Sequence, residues 1–207
     1  NIDLEGTLST AATPGLKNWR PRTSAPCVVK LLEAGAIVIA KTNLPELALR
    51  FDGYNKVHGM CRNPYALEHS PGGSSSGTAV GIASGMAPAG LGSDTGGSLR
   101  IPAACCGVVG FRPSRGRWPH SGVVPIDQSK DTAGPMGGSV ADVALLDSVV
   151  TGGGPLEAAD LKAVKVGIPQ DFIDTHPSVD AACRKGLQQA ASVLQKRGAS
   201  LETLSDF

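Results

Sequence analysis

The first part of the chain has the pattern of a helix followed by a buried strand. Apolar residues recur at helical spacing in residues 27–33, and Gly35 then supplies a left-handed stop. Residues 36–40 are apolar on both faces, which is typical of a strand buried between helices in a sheet. Residues 1–26 are instead polar and rich in turn residues, so they predict a surface segment with little regular structure.

The same alternation continues to the end of the chain. Apolar spacing and turn residues predict a helix at 77–84, a strand at 87–91, a helix from 140 to about 150, a strand at 164–168, a helix at 180–197 and a strand at 200–204. Residues 101–109 are apolar throughout and fit either element. Ser139 with Asp142 three residues on predicts a capped helix start, and residues 152–155 are interpreted as a linker. This alternation favours an α/β fold.

Composition and charge narrow the function classes. The 207 residues are enough for one domain with its own core, so we expect a single domain over residues 1–207. With 19 Lys and Arg against 18 Asp and Glu, the net charge is +1, and the arginine-rich loop at 111–119 is too short to indicate nucleic acid. No apolar run reaches the roughly 18 residues of a membrane span. We therefore expect neither nucleic acid nor a membrane as a partner.

The cysteines bear on compartment and on metal binding. Five are present, an odd number without a Cys-x-x-Cys pair, and they lie at positions 27, 61, 105, 106 and 183. This pattern predicts neither a disulfide framework nor a zinc site. A reducing, cytoplasmic location fits it best, and we expect no metal.

Candidate chemistry is concentrated in residues 71–113, which contain two Gly-Gly-Ser clusters. One ends at Ser74, the other ends at Ser98, and a segment rich in Ala and Gly joins them. Glycine lets backbone N–H groups approach a ligand closely, because no Cβ blocks unusual φ values. Such a loop can stabilise an oxyanion. Two clusters of this kind therefore make residues 71–113 the candidate catalytic region.

Residues 72–113 resemble the amidase signature family, whose members are serine hydrolases with a Ser–cis-Ser–Lys triad. The match includes Gly92-Ser93-Asp94-Thr95-Gly96-Gly97-Ser98, then Arg100, Pro102, Ala103, Cys106-Gly107 and Gly110. The resemblance implies that Ser98 is the acylated nucleophile and that Ser74 is the bridging serine after a cis peptide bond. It also implies an oxyanion hole formed by the backbone N–H groups of Thr95, Gly96, Gly97 and Ser98. The implied fold is a layered α/β fold with a mixed central sheet flanked by helices, and no cofactor is implied.

The triad lysine is not among these residues. In the family a Lys-Asp pair stands directly ahead of an Asn-Ile like Asn1-Ile2, so the resemblance places this lysine two positions before Asn1. We therefore expect the chain to be a portion that lacks the upstream lysine motif and the C-terminal part of its family. Lys41 is the other candidate base, but the resemblance assigns it to a strand end outside the triad.

Two other arrangements compete for the role of nucleophile. Residues 73–77 satisfy the G-x-S-x-G pattern with Ser75 central, but that elbow requires a preceding strand, and residues 64–71 are polar and bounded by prolines. Ser75 and Ser76 instead predict a helix cap. A Ser-His-Asp triad would need a histidine that reaches the nucleophile, and none of the four stands in a supporting motif. The four are His58, His69, His120 and His176.

The resemblance implies an amidase that converts a small carboxamide to an acid and ammonia. Residues 9–14, 110–113 and 130–135 look like the branch that hydrolyses aryl-acetamides, similar to indoleacetamide and mandelamide hydrolases. The expected partner is a small-molecule amide, with a homodimer as the candidate assembly. Two alternatives stay open. The protein could be a subunit of a tRNA-dependent amidotransferase, or it could be a non-catalytic binding module that lacks the lysine. Arg100 is expected to pair with a carboxylate such as Asp94.

Overall fold

Two units make up the part of the chain that the computed structural model describes, residues 1–154 and 158–204. The units are Asn1–Leu156 and Glu157–Phe207. The end of the predicted linker, residue 155, lies outside the described residues. The expectation of one domain over residues 1–207 stays a prediction.

The first unit contains both predicted and unpredicted helices and strands. They are α1 (Pro26–Glu33), β1 (Tyr54–Asn55), β2 (Gly59–Met60), α2 (Ser76–Ala83), β3 (Ala89–Asp94), α3 (Arg100–Cys106), β4 (Val109–Gly110), β5 (Thr132–Gly137) and α4 (Val140–Thr151). Short 3₁₀ turns lie at Pro14–Leu16 and Glu46–Ala48. The sequence pattern predicts neither the β1–β2 hairpin nor β5.

A three-stranded antiparallel sheet with the order β3-β5-β4 forms the centre of this unit. The central strand β5 pairs with β3 along its whole length, from Gly137 opposite Ala89 to Thr132 opposite Asp94. All six residues of β5 are buried. A strand buried on both faces shows no alternation of polar and apolar residues, and Pro135 is unusual in a central strand. For these reasons the sequence pattern does not reveal β5.

Two apolar clusters cover this sheet. One joins α1 and α4, and its buried members are Ala25, Cys27, Val28, Leu31, Trp118, Val123, Ala133 and Val150. The other lies among α2, α3 and β5, and its buried members are Ala79, Ile82, Leu99, Ala103, Cys106 and Met136. Both clusters are built largely from small residues, so the backbones of the helices and the sheet approach closely.

Trp118 anchors the first cluster to a buried carboxylate. The ring is fully buried, and its Nε1–H donates to Asp147 Oδ1 over 2.8 Å. Arg117 donates to the same carboxylate. Burial raises the pKa of Asp147, but the hydrogen bonds from Arg117 and Trp118 hold it below its ordinary value. The arginine-rich loop is therefore fixed to α4 by this carboxylate.

The structure confirms one predicted helix start, decides an ambiguous stretch and shifts a predicted strand. Ser139 Oγ accepts from the N–H of Asp142 over 3.2 Å, and Asp142 Oδ2 accepts from the N–H of Ser139 over 2.8 Å, so the predicted capping pair forms. The ambiguous residues 101–109 continue α3 to Cys106, and Gly107 then ends the helix in the left-handed region. The predicted strand at 87–91 begins later, at Ala89, and extends through the sheet to Asp94.

The predicted strand at 36–40 is wrong for the described residues, since it pairs with none of their strands. Ile37 and Ile39 are 86% and 67% exposed. A strand is defined by hydrogen bonds to a neighbour, and the described part of the chain supplies no neighbour at this position. The apolar pattern indicates a tendency to be buried, and burial as a strand requires a neighbouring strand to pair with.

The second unit is a small βαβ arrangement. Its elements are β6 (Lys165–Ile168), α5 (Gln170–Thr175), α6 (Ala181–Lys196) and β7 (Ser200–Thr203), with a 3₁₀ turn at Leu161–Ala163. β6 and β7 pair in parallel, as strands joined through helices do. This confirms the predicted strand, helix and strand. No helix in the described ranges combines the length and apolarity needed to cross a bilayer.

Two glycines in α2 should respond oppositely to alanine. A Cβ on Gly77 would lie 2.5 Å from the backbone nitrogen of Asn43, whereas a Cβ on Gly81, one turn later, meets nothing within 4 Å. We expect Gly77→Ala to lower the free energy of unfolding by roughly 1–3 kcal/mol through overpacking. Gly81→Ala is expected to raise it by up to about 1 kcal/mol through helix propensity. Denaturant unfolding of both variants checks this, and equal effects would contradict the close approach at residue 77.

Candidate functional site

The two Gly-Gly-Ser clusters meet in the folded unit. The N–H of Ser75 donates to the backbone carbonyl of Ser98 over 3.1 Å. Ser74 and Ser98 are both buried. Gly72 lies directly on the start of α3, because a Cβ added to it would be 2.9 Å from Pro102 Cα. Folding of β3 back beside α2 therefore brings the two predicted serines into one region.

The backbone ahead of Ser74 is held from two sides. The peptide bond between Gly73 and Ser74 is cis, as the family resemblance implies. Gly72 has φ +73°, which favours glycine. A Cβ on Gly73 would lie 2.7 Å from both the carbonyl oxygen of Arg50 and the Cα of Phe51. A side chain on either glycine would therefore displace Ser74.

A buried carboxylate organises the loop that carries Ser98. Asp94 is the last residue of β3 and is fully buried. Its Oδ1 accepts from the N–H of Gly97 over 2.8 Å, and its Oδ2 accepts from the N–H of Leu99 over 3.1 Å. These two bonds wrap the loop around the carboxylate, so the position of Ser98 between the two donors is fixed.

Two arginines balance the charge of Asp94. Arg100 Nε lies 3.1 Å from Oδ2, and Arg112 Nη1 lies 2.9 Å from Oδ1. Arg112 also donates to the backbone carbonyls of Asp94 and Lys130. Burial raises the pKa of the Asp94 carboxyl, but hydrogen bonds from Arg100 and from the loop N–H groups hold it below its ordinary value. The predicted Asp94–Arg100 pair is confirmed, whereas the role of Arg112 is a finding of the structure.

The structure modifies the predicted set of oxyanion donors at one position. The N–H of Gly97 already donates to Asp94, so it is not free to bind a ligand. Within residues 1–154 and 158–204, the N–H groups of Thr95, Gly96 and Ser98 donate to no protein acceptor. Gly97 instead supplies the turn, with φ +126°. Three free N–H groups therefore remain in the loop around Ser98.

Ser75 has a structural role that the sequence pattern misses. It occupies the N-cap position of α2, but its side chain makes no capping bond. Its Oγ instead accepts from the N–H of Ser93 over 3.3 Å and lies 3.4 Å from the carbonyl oxygen of Ser93. The strand that precedes Ser75 in the described chain is β2, which ends at Met60. The nucleophile-elbow interpretation therefore lacks its strand. The predicted cap position at Ser75 is confirmed, but its side chain does not make the capping bond.

Lys41 is bound to the N-terminal segment of the first unit. Its Nζ donates to the carbonyl oxygen of Ile2 and to Ser9 Oγ, each over 2.6 Å. Burial lowers the pKa of Lys41, and the charge of Asp3 opposes that shift. Because Nζ is engaged by these two acceptors, the geometry gives Lys41 a structural role and does not favour it as the catalytic base.

The histidines do not complete a triad within the described ranges. His69 lies beside Glu68, and the Nδ1 of His176 accepts from the N–H of Ser178. Both ring nitrogens of His120 are buried without a hydrogen-bond partner, and its Nε2 lies 3.7 Å from Asp131. In the described part of the chain, no histidine nitrogen bonds to either predicted serine, and no three metal-binding side chains converge.

Comparisons with known proteins agree on the family. The Amidase family model matches residues 1–205. Mandelamide hydrolase from Pseudomonas putida is 40% identical over 211 residues, which cover 99% of this chain and 41% of that protein. A glutamyl-tRNA(Gln) amidotransferase subunit from Carboxydothermus hydrogenoformans is 39% identical over 221 residues, covering 99% and 45%.

Solved structures give the same picture. A crystal structure described as an amidase superposes with a TM-score of 0.86 at 38% identity, covering 99% of this chain and 46% of that one. Native peptide amidase from Stenotrophomonas maltophilia superposes with a TM-score of 0.86 at 34% identity, covering 99% and 46%. The chain thus has the amidase signature fold, with small sheets and mixed α/β structure, and it spans less than half the length of these relatives.

Proposed function

The chain belongs to the amidase signature family, and on that premise we propose that its protein hydrolyses a small carboxamide through an acyl-enzyme on Ser98. The observation that carries the proposal is the meeting of the two serine clusters. Ser75 and Ser98 are joined by a backbone hydrogen bond, so the neighbouring Ser74 lies beside the loop with three free N–H groups. A nucleophile, a second hydroxyl and a site for negative charge are thereby gathered in one place.

The proposed reaction transfers one proton along the two serines. Ser98 Oγ attacks the amide carbon while its proton passes to Ser74 and from there to a base. The free N–H groups of Thr95, Gly96 and Ser98 stabilise the oxyanion that forms. The proton returns to the amide nitrogen, the C–N bond breaks and ammonia leaves. Water then attacks the acyl ester, which releases the carboxylic acid and restores Ser98.

The base in this proposal is the lysine that the family resemblance places two positions before Asn1. The side chain of Asn1 donates to Ser93 Oγ over 2.8 Å, directly beside the loop that carries the nucleophile. The Cα of a residue two positions before Asn1 would lie within about 7 Å of the Cα of Asn1. Its pKa, ordinarily about 10.4, would need to fall by roughly three units for the amine to be neutral at pH 7, and burial provides such a shift.

An apolar, aryl-containing amide is the substrate class that we favour. Phe51 is exposed, and its backbone lies against Gly73, next to Ser74. Leu49, two residues earlier, is also exposed, so this segment presents apolar surface near the two serines. The similarity to mandelamide hydrolase points in the same direction. The second candidate is a role within an amidotransferase, because that curated relative is nearly as similar, at 39% identity.

A fluorophosphonate label tests the proposed function. We expect the intact natural protein to take up one label, with the adduct mapped by peptide mass to Ser98, and to release ammonia from an aryl-acetamide without a partner. Ammonia release from glutamine only in the presence of tRNA and a partner protein would favour the amidotransferase role. Absence of both label and hydrolysis would favour the binding-module alternative.

A further inference from the structure

Thr95 has a side chain fixed by a carboxylate outside the loop that carries the nucleophile. Thr95 Oγ1 donates to Asp131 Oδ1. Asp131 is buried, and it directly precedes β5. Because Thr132 at the start of β5 pairs with Asp94 at the end of β3, Asp131 and Thr95 continue the same register by one residue. The sheet itself therefore places this carboxylate against the loop.

The two oxygens of Asp131 have separate partners. Oδ2 accepts from the N–H groups of Ile126 and Asp127, over 2.8 Å and 3.0 Å, and so holds the segment ahead of β5. Oδ1 accepts from Thr95. His120 lies near Oδ2, at 3.7 Å, and not within hydrogen-bond distance. Loss of the Thr95 hydroxyl would therefore release the oxyanion loop while the bonds to residues 126 and 127 remain.

Thr95 carries the first free N–H of the loop. From Thr95 to Gly96, few contacts besides the Thr95–Asp131 bond restrain the backbone. Gly96 and Gly97 follow it and carry no side chains that could pack. Asp94 restrains the far end of the loop through Gly97 and Leu99, whereas the N–H groups of Thr95 and Gly96 make no bond within the described protein. At the near end, Arg112 holds the carbonyl of Asp94, and the Thr95–Asp131 bond is the restraint on Thr95 itself.

We infer that Asp131 is a positioning residue for the oxyanion loop, acting through the hydroxyl of Thr95. The inference rests on the proposed function, since it concerns the donors that would bind the oxyanion. Oxyanion donors contribute to the rate only when they are aimed at the place where charge develops, and a misplacement of about 1 Å can cost about 10²-fold. Without this bond the N–H of Thr95 would still be present, but it would no longer be held in the position that the oxyanion requires.

Thr95→Val tests the inference, because it removes the hydroxyl and keeps the shape. In the intact natural protein we expect kcat on a carboxamide to fall by about 10- to 100-fold while KM changes by less than about threefold, since positioning acts on the transition state. Labelling of Ser98 by the fluorophosphonate should slow in parallel. Thr95→Ser restores the donor and is expected to recover most of the lost rate. Thr95→Ala serves as the second variant if the valine protein does not fold.

Thr151→Val is the matched control. The Thr151 hydroxyl donates to the carbonyl oxygen of Asp147 within α4, away from the loop, so its loss should leave kcat unchanged. An active wild type with an equally active Thr95→Val protein would overturn the inference alone, as would a loss of rate that serine does not recover. A wild-type protein that neither hydrolyses amides nor labels at Ser98 would overturn the proposed function and this inference with it.

Discussion

Replacement of Ser98 with alanine is expected to lower amide hydrolysis in the intact protein by at least about 10⁴-fold, because no acyl-enzyme can form without its hydroxyl. Binding and the loop N–H groups would leave only a residual rate over water. Ser98 is buried, and the N–H groups of the residues on either side of it donate to Asp94. Within the described residues its own side chain makes no hydrogen bond, so the fold does not depend on the hydroxyl. Thermal unfolding should therefore change little.

Two further serine variants make this result specific. Ser75→Ala removes the centre of the competing G-x-S-x-G pattern, and we expect the protein to keep its fluorophosphonate label on Ser98. Ser148→Ala removes an exposed hydroxyl that bonds only within α4, so it should retain full turnover. Normal hydrolysis by the Ser98→Ala protein, or transfer of the label to Ser75, would disprove the assignment of the nucleophile.

Asp94→Asn should cause the largest loss of stability. Asp94 is fully buried and accepts from two backbone N–H groups and two arginines. The side-chain NH₂ of an asparagine would face some of these donors and could not accept from them. Removing one partner of a buried, charge-paired group costs about 3–5 kcal/mol of unfolding free energy. Urea unfolding measures the loss. The half-exposed Asp127, whose side chain accepts from Ser129, is the control, and the free energy of unfolding of Asp127→Asn is expected to match that of the wild type.

The pH dependence of stability gives Asp94 a second readout. Its pKa in the folded protein is held below the ordinary value, so the unfolded chain binds the proton more tightly. The stability contributed by Asp94 is therefore complete above its unfolded pKa of about 3.9 and is lost as the pH falls through the lower folded value. We expect the acid loss of stability below about pH 4 to be shallower in Asp94→Asn. An identical acid slope would show that Asp94 is not the responsible group.

Local signals were sufficient for most of the described helices, but not for α3, which the pattern left ambiguous, or for α5, which it did not predict. The apolar spacing at 27–33, Gly35 after it and the Ser139–Asp142 pair each act within a few residues, and each predicts a helix or its end where the structure has one. Strands were harder. The strand β5 contains Gly and Pro and is buried on both faces, while residues 36–40 have a strand pattern and pair with no described strand. Strand formation depends on a distant partner, which a local pattern does not report.

For the candidate site, the sequence by itself determined the family. The resemblance carried by the two Gly-Gly-Ser clusters implies the roles of Ser74, Ser98 and the donors around them, and glycine permits the backbone conformations that such a loop needs. Only the tertiary structure decided how that loop is held. Arg112, Asp131 and Ser75 contribute through contacts with residues at least 18 positions away, and the N–H of Gly97 donates to Asp94. Hydrogen bonds saturate, so the role of each donor depends on which acceptors folding brings near it.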